Sequence, residues 1–142
     1  MSLSFEEGMK IAFEFDVSTA KDCAVVYSIS FLKTSENRDK AYAYVKAHEG
    51  CKTLDDTPCG KTLCEKGYQA TNEVATDEIK KIWKTASERF IKSASGNLRA
   101  FVDGADKRST FCMVETPEIC KNDKIKTING VDKFSFLEKF QK

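Results

Sequence analysis

The sequence predicts an α/β protein, with a helical N-terminal half packed on a small, mostly parallel four-stranded sheet. Three observations point there. One long stretch carries apolar residues at helical spacing, from Ile79 through Ile82, Trp83, Ala86, Phe90 and Ile91 to Ala94. Short β-branched or alternating runs occur at residues 24–29, 98–102, 109–115 and 125–128. The long helix falls between the first two of these runs, and a crossover helix makes its flanking strands parallel. The 142 residues are expected to form one domain, with residues 1–22 as an N-terminal helical segment.

Taken in order, residues 4–13 read as a helix, because Phe5, Met9, Ala12 and Phe13 recur at helical spacing. Asp16-Val17-Ser18-Thr19 breaks it, and the first strand follows at 24–29. Ser35 can cap a helix running to His48, with Ala41, Tyr44, Val45 and His48 on its apolar face and Gly50 as its stop. Thr53 can cap a further short helix, with Asp55 and Asp56 in its first turn and Pro58 near its start. Residues 67–75 are polar and loop-like. Thr76 caps the long helix and Ser95-Gly96 ends it. In the run 109–115, Phe111, Met113 and Glu115 share one face, and Pro117 limits its extension. Asn129-Gly130 is a turn signal, and a terminal helix is expected at 134–140.

Composition excludes several classes of function. With 23 basic and 22 acidic residues, there is no charge excess to recruit nucleic acid or an anionic membrane. No apolar run approaches the roughly 20 residues of a membrane helix. The first ten residues include Glu6 and Glu7 and have no apolar core, so no secretory signal is expected there. Six cysteines, at 23, 51, 59, 64, 112 and 120, permit up to three disulfides or none, and both readings stay open. With no C-x-x-C and a single histidine, His48, no metal site is expected.

Three groups could carry chemistry. Asp55-Asp56 can complement a helix dipole or line a site. Trp83 can fill the core or stack on a ligand. Glu115, read as the end of a strand, can face solvent or a ligand crevice at the carboxyl edge of a sheet. Arg108-Ser109-Thr110 offers phosphate contacts only in company, for the sequence has no glycine-rich phosphate loop. His48, near a helix end, reads as a packing or dipole residue.

In their order along the chain, these segments resemble the ADP-ribosyl cyclase family, NAD glycohydrolases and cyclases with short relatives among bacterial toxin modules. Thr53-Leu54-Asp55-Asp56-Thr57 resembles the family's Thr-Leu-Glu-Asp-Thr. Trp83-Lys84-Thr85-Ala86-Ser87-Glu88-Arg89-Phe90 is similar to its Trp-Lys-Thr-x-Ser-x-Arg-Phe helix. Ser109-Thr110-Phe111-Cys112-Met113-Val114-Glu115 resembles Ser-Thr-Phe-x-x-Val-Glu, which ends in the catalytic glutamate. Tyr27-Ser28 stands where the family has Trp-Ser, and Asp55 is one methylene shorter than the family's glutamate.

The resemblance implies an ADP-ribosyl cyclase-like fold and an NAD+ glycohydrolase, with cyclase activity secondary. It gives catalytic roles to Glu115 at the ribose, Trp83 as a stacking wall and Asp55 at the nicotinamide. It gives substrate contacts to Tyr27, Ser28, Asp56, Ser87, Ser109, Thr110 and Phe111. NAD would be the substrate, with no further cofactor. A toxin version would be secreted or delivered into a target cell and would meet a cognate inhibitor protein. Two other readings remain: an inactive cyclase-fold module that binds a nucleotide or protein, and a secreted cysteine-containing interaction domain.

Overall fold

The computed structural model describes residues 4–27, 36–68, 77–102 and 114–138. Four strands, β1 (Val25–Tyr27), β2 (Gly96–Phe101), β3 (Ile125–Ile128) and β4 (Val131–Asp132), form one sheet in the order β1-β2-β3-β4. The first two pairings are parallel and the last is antiparallel. Six helices surround them: α1 (Phe5–Glu14), α2 (Glu36–Ala47), α3 (Pro58–Glu65), α4 (Asp77–Ser93), α5 (Thr116–Lys121) and α6 (Lys133–Leu137). The α/β class and the mostly parallel four-stranded sheet agree with the sequence reading.

One of the four strands is not the one expected. Asn129 and Gly130 both take positive φ, 52° and 79°, the geometry of a tight hairpin turn. The chain therefore folds back at once, pairing Thr127 with Asp132 and Ile128 with Val131. The run expected at 109–115 lies mostly outside the described residues. Its end is not extended: Glu115 has helical backbone, φ −74° and ψ −41°, and leads into α5. Pro117 sits in the first turn of that helix, where a missing N–H costs nothing, rather than closing a strand.

The sheet separates two apolar clusters by simple alternation. Ala24, Val26, Leu98, Ala100 and Val102 point into the larger core, with Ile82, Ala86, Phe90 and Ile91 of α4. Val25, Tyr27 and Phe101 point to the other face, where Ala41, Tyr44 and Val45 of α2 cover them. On the core side α1 lies against α4, and there is no room for a side chain at Gly8. A Cβ there would come within 2.4 Å of the Ile82 Cδ1. In α1 the buried residues are Gly8, Ile11 and Ala12, and Phe13, read as part of the apolar face, is exposed. The helix turns its Ile11 stripe inward because the approach of α4 selects the face that carries Gly8.

Side-chain amides and one lysine fix the ends of the elements. Asn122 donates to the carbonyls of Ile91 (2.8 Å) and Ala94 (3.0 Å), closing the end of α4. Lys133, itself buried, donates to the carbonyls of Ile119 (3.1 Å) and Asn122 (2.9 Å), closing α5. Asn129 pairs with both backbone groups of Ala100 at 2.9 Å and so continues the sheet beyond β3. The terminal helix runs over Lys133–Leu137 and begins at an Asp132 cap, and the expected residues 139 and 140 lie outside the described residues.

Cys23, Cys51, Cys59, Cys64 and Cys120 are free thiols, and Cys112 lies outside the described residues. Among the described residues no helix is long and apolar enough to cross a membrane.

Candidate active site

The best-defined polar cluster forms around the segment 53–57. Instead of one short helix, the chain makes a 3₁₀ turn over Leu54–Asp56 and then starts α3 afresh from Thr57. Two buried threonines organise it. The Thr53 N–H and hydroxyl both donate to Asp56 Oδ2, at 3.0 and 2.9 Å. The Thr57 hydroxyl donates to the Leu54 carbonyl (2.6 Å) and accepts from the Gly60 N–H (3.1 Å). Gly60 lets α3 press against the turn: a Cβ there would fall 1.9 Å from the Leu54 carbonyl oxygen. Asp56 is thus committed to Thr53, and Asp55 is the acid left to face outward from the turn.

Asp55 faces a pair of tyrosines. Tyr27, at the carboxyl end of β1, donates its hydroxyl to Asp55 Oδ2 at 2.5 Å. Tyr42, on α2, donates to the same oxygen at 2.9 Å. The two rings meet edge to face, with centroids 5.9 Å apart and planes at 80°. Burial, and then the negative charge of Asp55, pushes the Tyr27 phenol well above its ordinary range. Tyr42 is raised as well, first by burial. Both stay hydrogen donors at any ordinary pH.

Glu115, far along the sequence, feels the charge of Asp55. Only 7% exposed, it stands at the head of α5. Burial first, and the charge of Asp55 second, push its carboxyl up to about 8. The second cause requires the two acids to lie within electrostatic reach of each other. Beside it, the Thr116 hydroxyl is buried with no hydrogen-bond partner among the described residues.

Trp83 and Ser87 stand one turn apart on α4, the helix that also touches the Leu54–Asp56 turn. Trp83 is partly buried against the core, and its indole N–H donates to the Tyr68 carbonyl. Tyr68 is itself buried and donates to the Ser4 carbonyl at 2.6 Å, which ties the indole's anchor to the start of α1. Ser87 is buried. Ser28, Ser109, Thr110 and Phe111 lie outside the described residues. His48 packs rather than reacts: its ring stacks on Tyr44 with centroids 3.8 Å apart.

The described structure therefore joins Tyr27 to Asp55 by a hydrogen bond, sets Glu115 within reach of the Asp55 charge, and adds Tyr42, which sequence reasoning missed. Tyr42 lies off the apolar face of its helix, and nothing local marks it as the partner of an acid on a later turn. An open depression of about 380 Å³ lies elsewhere, at the carboxyl ends of α4 and α5. It is lined by Lys92, Glu118, Lys121, Asn122, Asp123 and Lys124 and holds none of these residues.

No protein-family model and no curated protein matches the sequence. Solved structures do match. An ADP-ribosyl cyclase carrying a glutamate-to-alanine substitution aligns over 96% of this chain and 72% of its own, with TM-score 0.59 and 16% identity. The fold is that of the ADP-ribosyl cyclases. Porcine CD38, in complex with the covalent intermediate ribo-F-ribose-5'-phosphate, aligns over 96% of this chain and 78% of its own (TM-score 0.58, 17% identity). Aplysia cyclase, with substrate NGD and product cGDPR, aligns over 87% of this chain and 61% of its own (TM-score 0.56, 15% identity). At such identities the ADP-ribosyl cyclase likeness is one of fold, and function has to be argued from the site.

Proposed function

We propose that this chain is an NAD+ glycohydrolase that cleaves the nicotinamide–ribose bond to give ADP-ribose and nicotinamide. The observation that carries the reading is Glu115: a buried carboxyl within reach of the Asp55 charge, in a fold shared with a cyclase solved with substrate NGD and a CD38 solved with a covalent intermediate. In the reaction the bond from ribose C1′ to the pyridinium nitrogen breaks, and its electron pair leaves with neutral nicotinamide. The ribose is left with oxocarbenium character, which an ionised Glu115 stabilises most as it develops. Water then attacks C1′ and releases a proton. NAD is the substrate, and the chemistry calls for no further cofactor.

Trp83 and Tyr27 supply aromatic surface for the rings, and Ser28, Asp56, Ser87, Ser109, Thr110 and Phe111 follow as substrate contacts from the resemblance in sequence. Hydrolysis is favoured over cyclisation, because Asp55 is shorter than the family's glutamate and is engaged by two hydroxyls. The reading extends to a secreted or delivered toxin module with a cognate inhibitor protein, and there it rests on the resemblance alone.

One observation favours the alternative, an inactive module that binds a nucleotide. With its carboxyl pushed up to about 8, Glu115 is mostly protonated at pH 7 before substrate binds. A neutral acid does not stabilise a cation. The cationic nicotinamide ring of a bound NAD opposes that state and favours release of the proton. Incubation of the purified chain with NAD, with chromatography for free nicotinamide, separates the two readings. Turnover is expected, together with a loss of at least about 100-fold in Glu115→Gln. Wild-type turnover in that variant would overturn the assignment.

A further inference from the structure

We propose that Tyr42 is a positioning residue of this site: its hydroxyl, with that of Tyr27, pins the Asp55 carboxylate in one place and one orientation. The inference rests on the NAD-cleaving reading for its consequence in turnover. The positioning itself can be measured without substrate.

The geometry is specific. Asp55 lies on a three-residue turn, and its Oδ2 takes hydroxyl donors from two different elements, Tyr27 of β1 and Tyr42 of α2. A carboxylate on so short a turn has free rotation unless something holds it, and two converging donors fix both its position and its orientation. Tyr27 is the buried half of the pair. Tyr42 is the outer half, 42% exposed, and closes the cluster toward solvent. Without its hydroxyl, Asp55 keeps one donor and is free to turn.

The neighbouring charges leave this coupling legible. Asp55 is met by Tyr27 from β1, by Tyr42 from α2 with the Arg38 charge behind it, and by Cys64 from α3. The Cys64 thiol is pushed up to about 11, mainly by burial and then by Asp55. Both tyrosines are raised too, so these three groups hold their protons across the range in which Glu115 ionises.

The test is the ionisation of Glu115 in the protein without NAD. Equilibrium denaturation from pH 5 to pH 10 is compared with that of Glu115→Gln, and the difference gives the midpoint of the Glu115 titration. Asp55→Asn should lower that midpoint by about one pH unit and Tyr42→Phe by about half a unit, since a like charge is removed or displaced. In the Asp55→Asn background, Tyr42→Phe should shift it no further. A Tyr42→Phe protein that is destabilised equally at all pH values, with its midpoint unmoved, would overturn the proposal and leave Tyr42 a packing residue. An unmoved midpoint in Asp55→Asn would overturn it too. Should Tyr42→Phe not fold, Tyr42→Leu takes its place in the cycle, on an exposed helix position that tolerates a change of shape. A midpoint that moves as expected in a chain that does not cleave NAD would sink the enzymatic reading and leave this one standing.

Discussion

The two faces of the sheet differ in what they bury. Toward α1 and α4, β1 and β2 present Ala24, Val26, Leu98, Ala100 and Val102, and the layer beyond is aliphatic and aromatic. Toward α2 the same strands present Val25, Tyr27, Arg99 and Phe101. There the Arg99 guanidinium lies over the rings of Tyr44 (5.1 Å) and Phe101 (5.5 Å), and Tyr27 points its hydroxyl at Asp55. One face holds the chain together, and the other holds polar groups in fixed positions. The apolar layer can therefore be tested through stability alone, while the acids, Asp55 and Glu115, should answer to pH.

The largest effect is expected at Glu115. Its folded value, about 8, lies above the ordinary 4.5, so between those values the folded state holds a proton that the unfolded state has lost. That contribution is complete below about pH 4.5 and is lost as pH rises through about 8. It amounts to about 5 kcal/mol at most. Denaturant midpoints should fall across this window in the wild type and stay nearly flat in Glu115→Gln, which becomes the more stable protein above pH 8. If turnover needs the ionised acid, kcat/KM for NAD should rise over the same window. A wild type with no such fall in stability would mean that the acid is not buried in solution.

In the larger core, Phe90→Ala removes a fully buried ring from the α4 layer. It should cost about 3–5 kcal/mol, measured by urea denaturation, at every pH alike. A loss concentrated above pH 8 would show that the packing of the α4 layer and the ionisation of Glu115 are coupled.

The same division decided what could be read from the sequence. The larger core was legible because apolar spacing along α4 and along β2 reports directly on burial. The Glu115 helix was not. Alternation in the run ending at Glu115 suggested a strand, yet Thr116-Pro117-Glu118 is equally a helix start, with proline in the first turn and an acid beside it. Proline punctuates both structures, and only the packing of α5 under α4, through Asn122, decides between them. Asp55 was singled out by its place at a helix start and then by motif resemblance, Tyr27 by motif resemblance alone. Tyr42 was not, because its meaning depends on α2 returning across the end of β1, which no local pattern encodes.

An intermediate effect should follow at Gly60. An alanine Cβ there would stand 1.9 Å from the Leu54 carbonyl oxygen, which is backbone and cannot swing aside as a side chain can. Either α3 or the Leu54–Asp56 turn must move. The cost should be about 1–3 kcal/mol in denaturant stability. Because the turn carries Asp55, Gly60→Ala should also lower the midpoint of the Glu115 titration, which Phe90→Ala should leave unchanged. Loss of stability with an unaltered midpoint would show that α3 yields and the turn does not.

The smallest effect is expected at His48, on the outer side of α2. Its ring lies parallel to that of Tyr44, at 15° between planes, and its Nδ1 sits 2.8 Å from the Tyr44 carbonyl. A carbonyl oxygen only accepts, so the proton is on Nδ1 and the ring is held at the end of its helix by a local bond. Tyr44 in turn packs beneath Arg99 and beside Phe101, on the same sheet face as Tyr27. His48→Ala removes an exposed stack and one hydrogen bond and should cost less than about 1 kcal/mol. NAD cleavage should not change. A large loss of turnover would mean that the Tyr44–Arg99–Phe101 stack bears on the site as directly as the Tyr27–Asp55–Tyr42 cluster does, and that this whole face of the sheet acts as one unit.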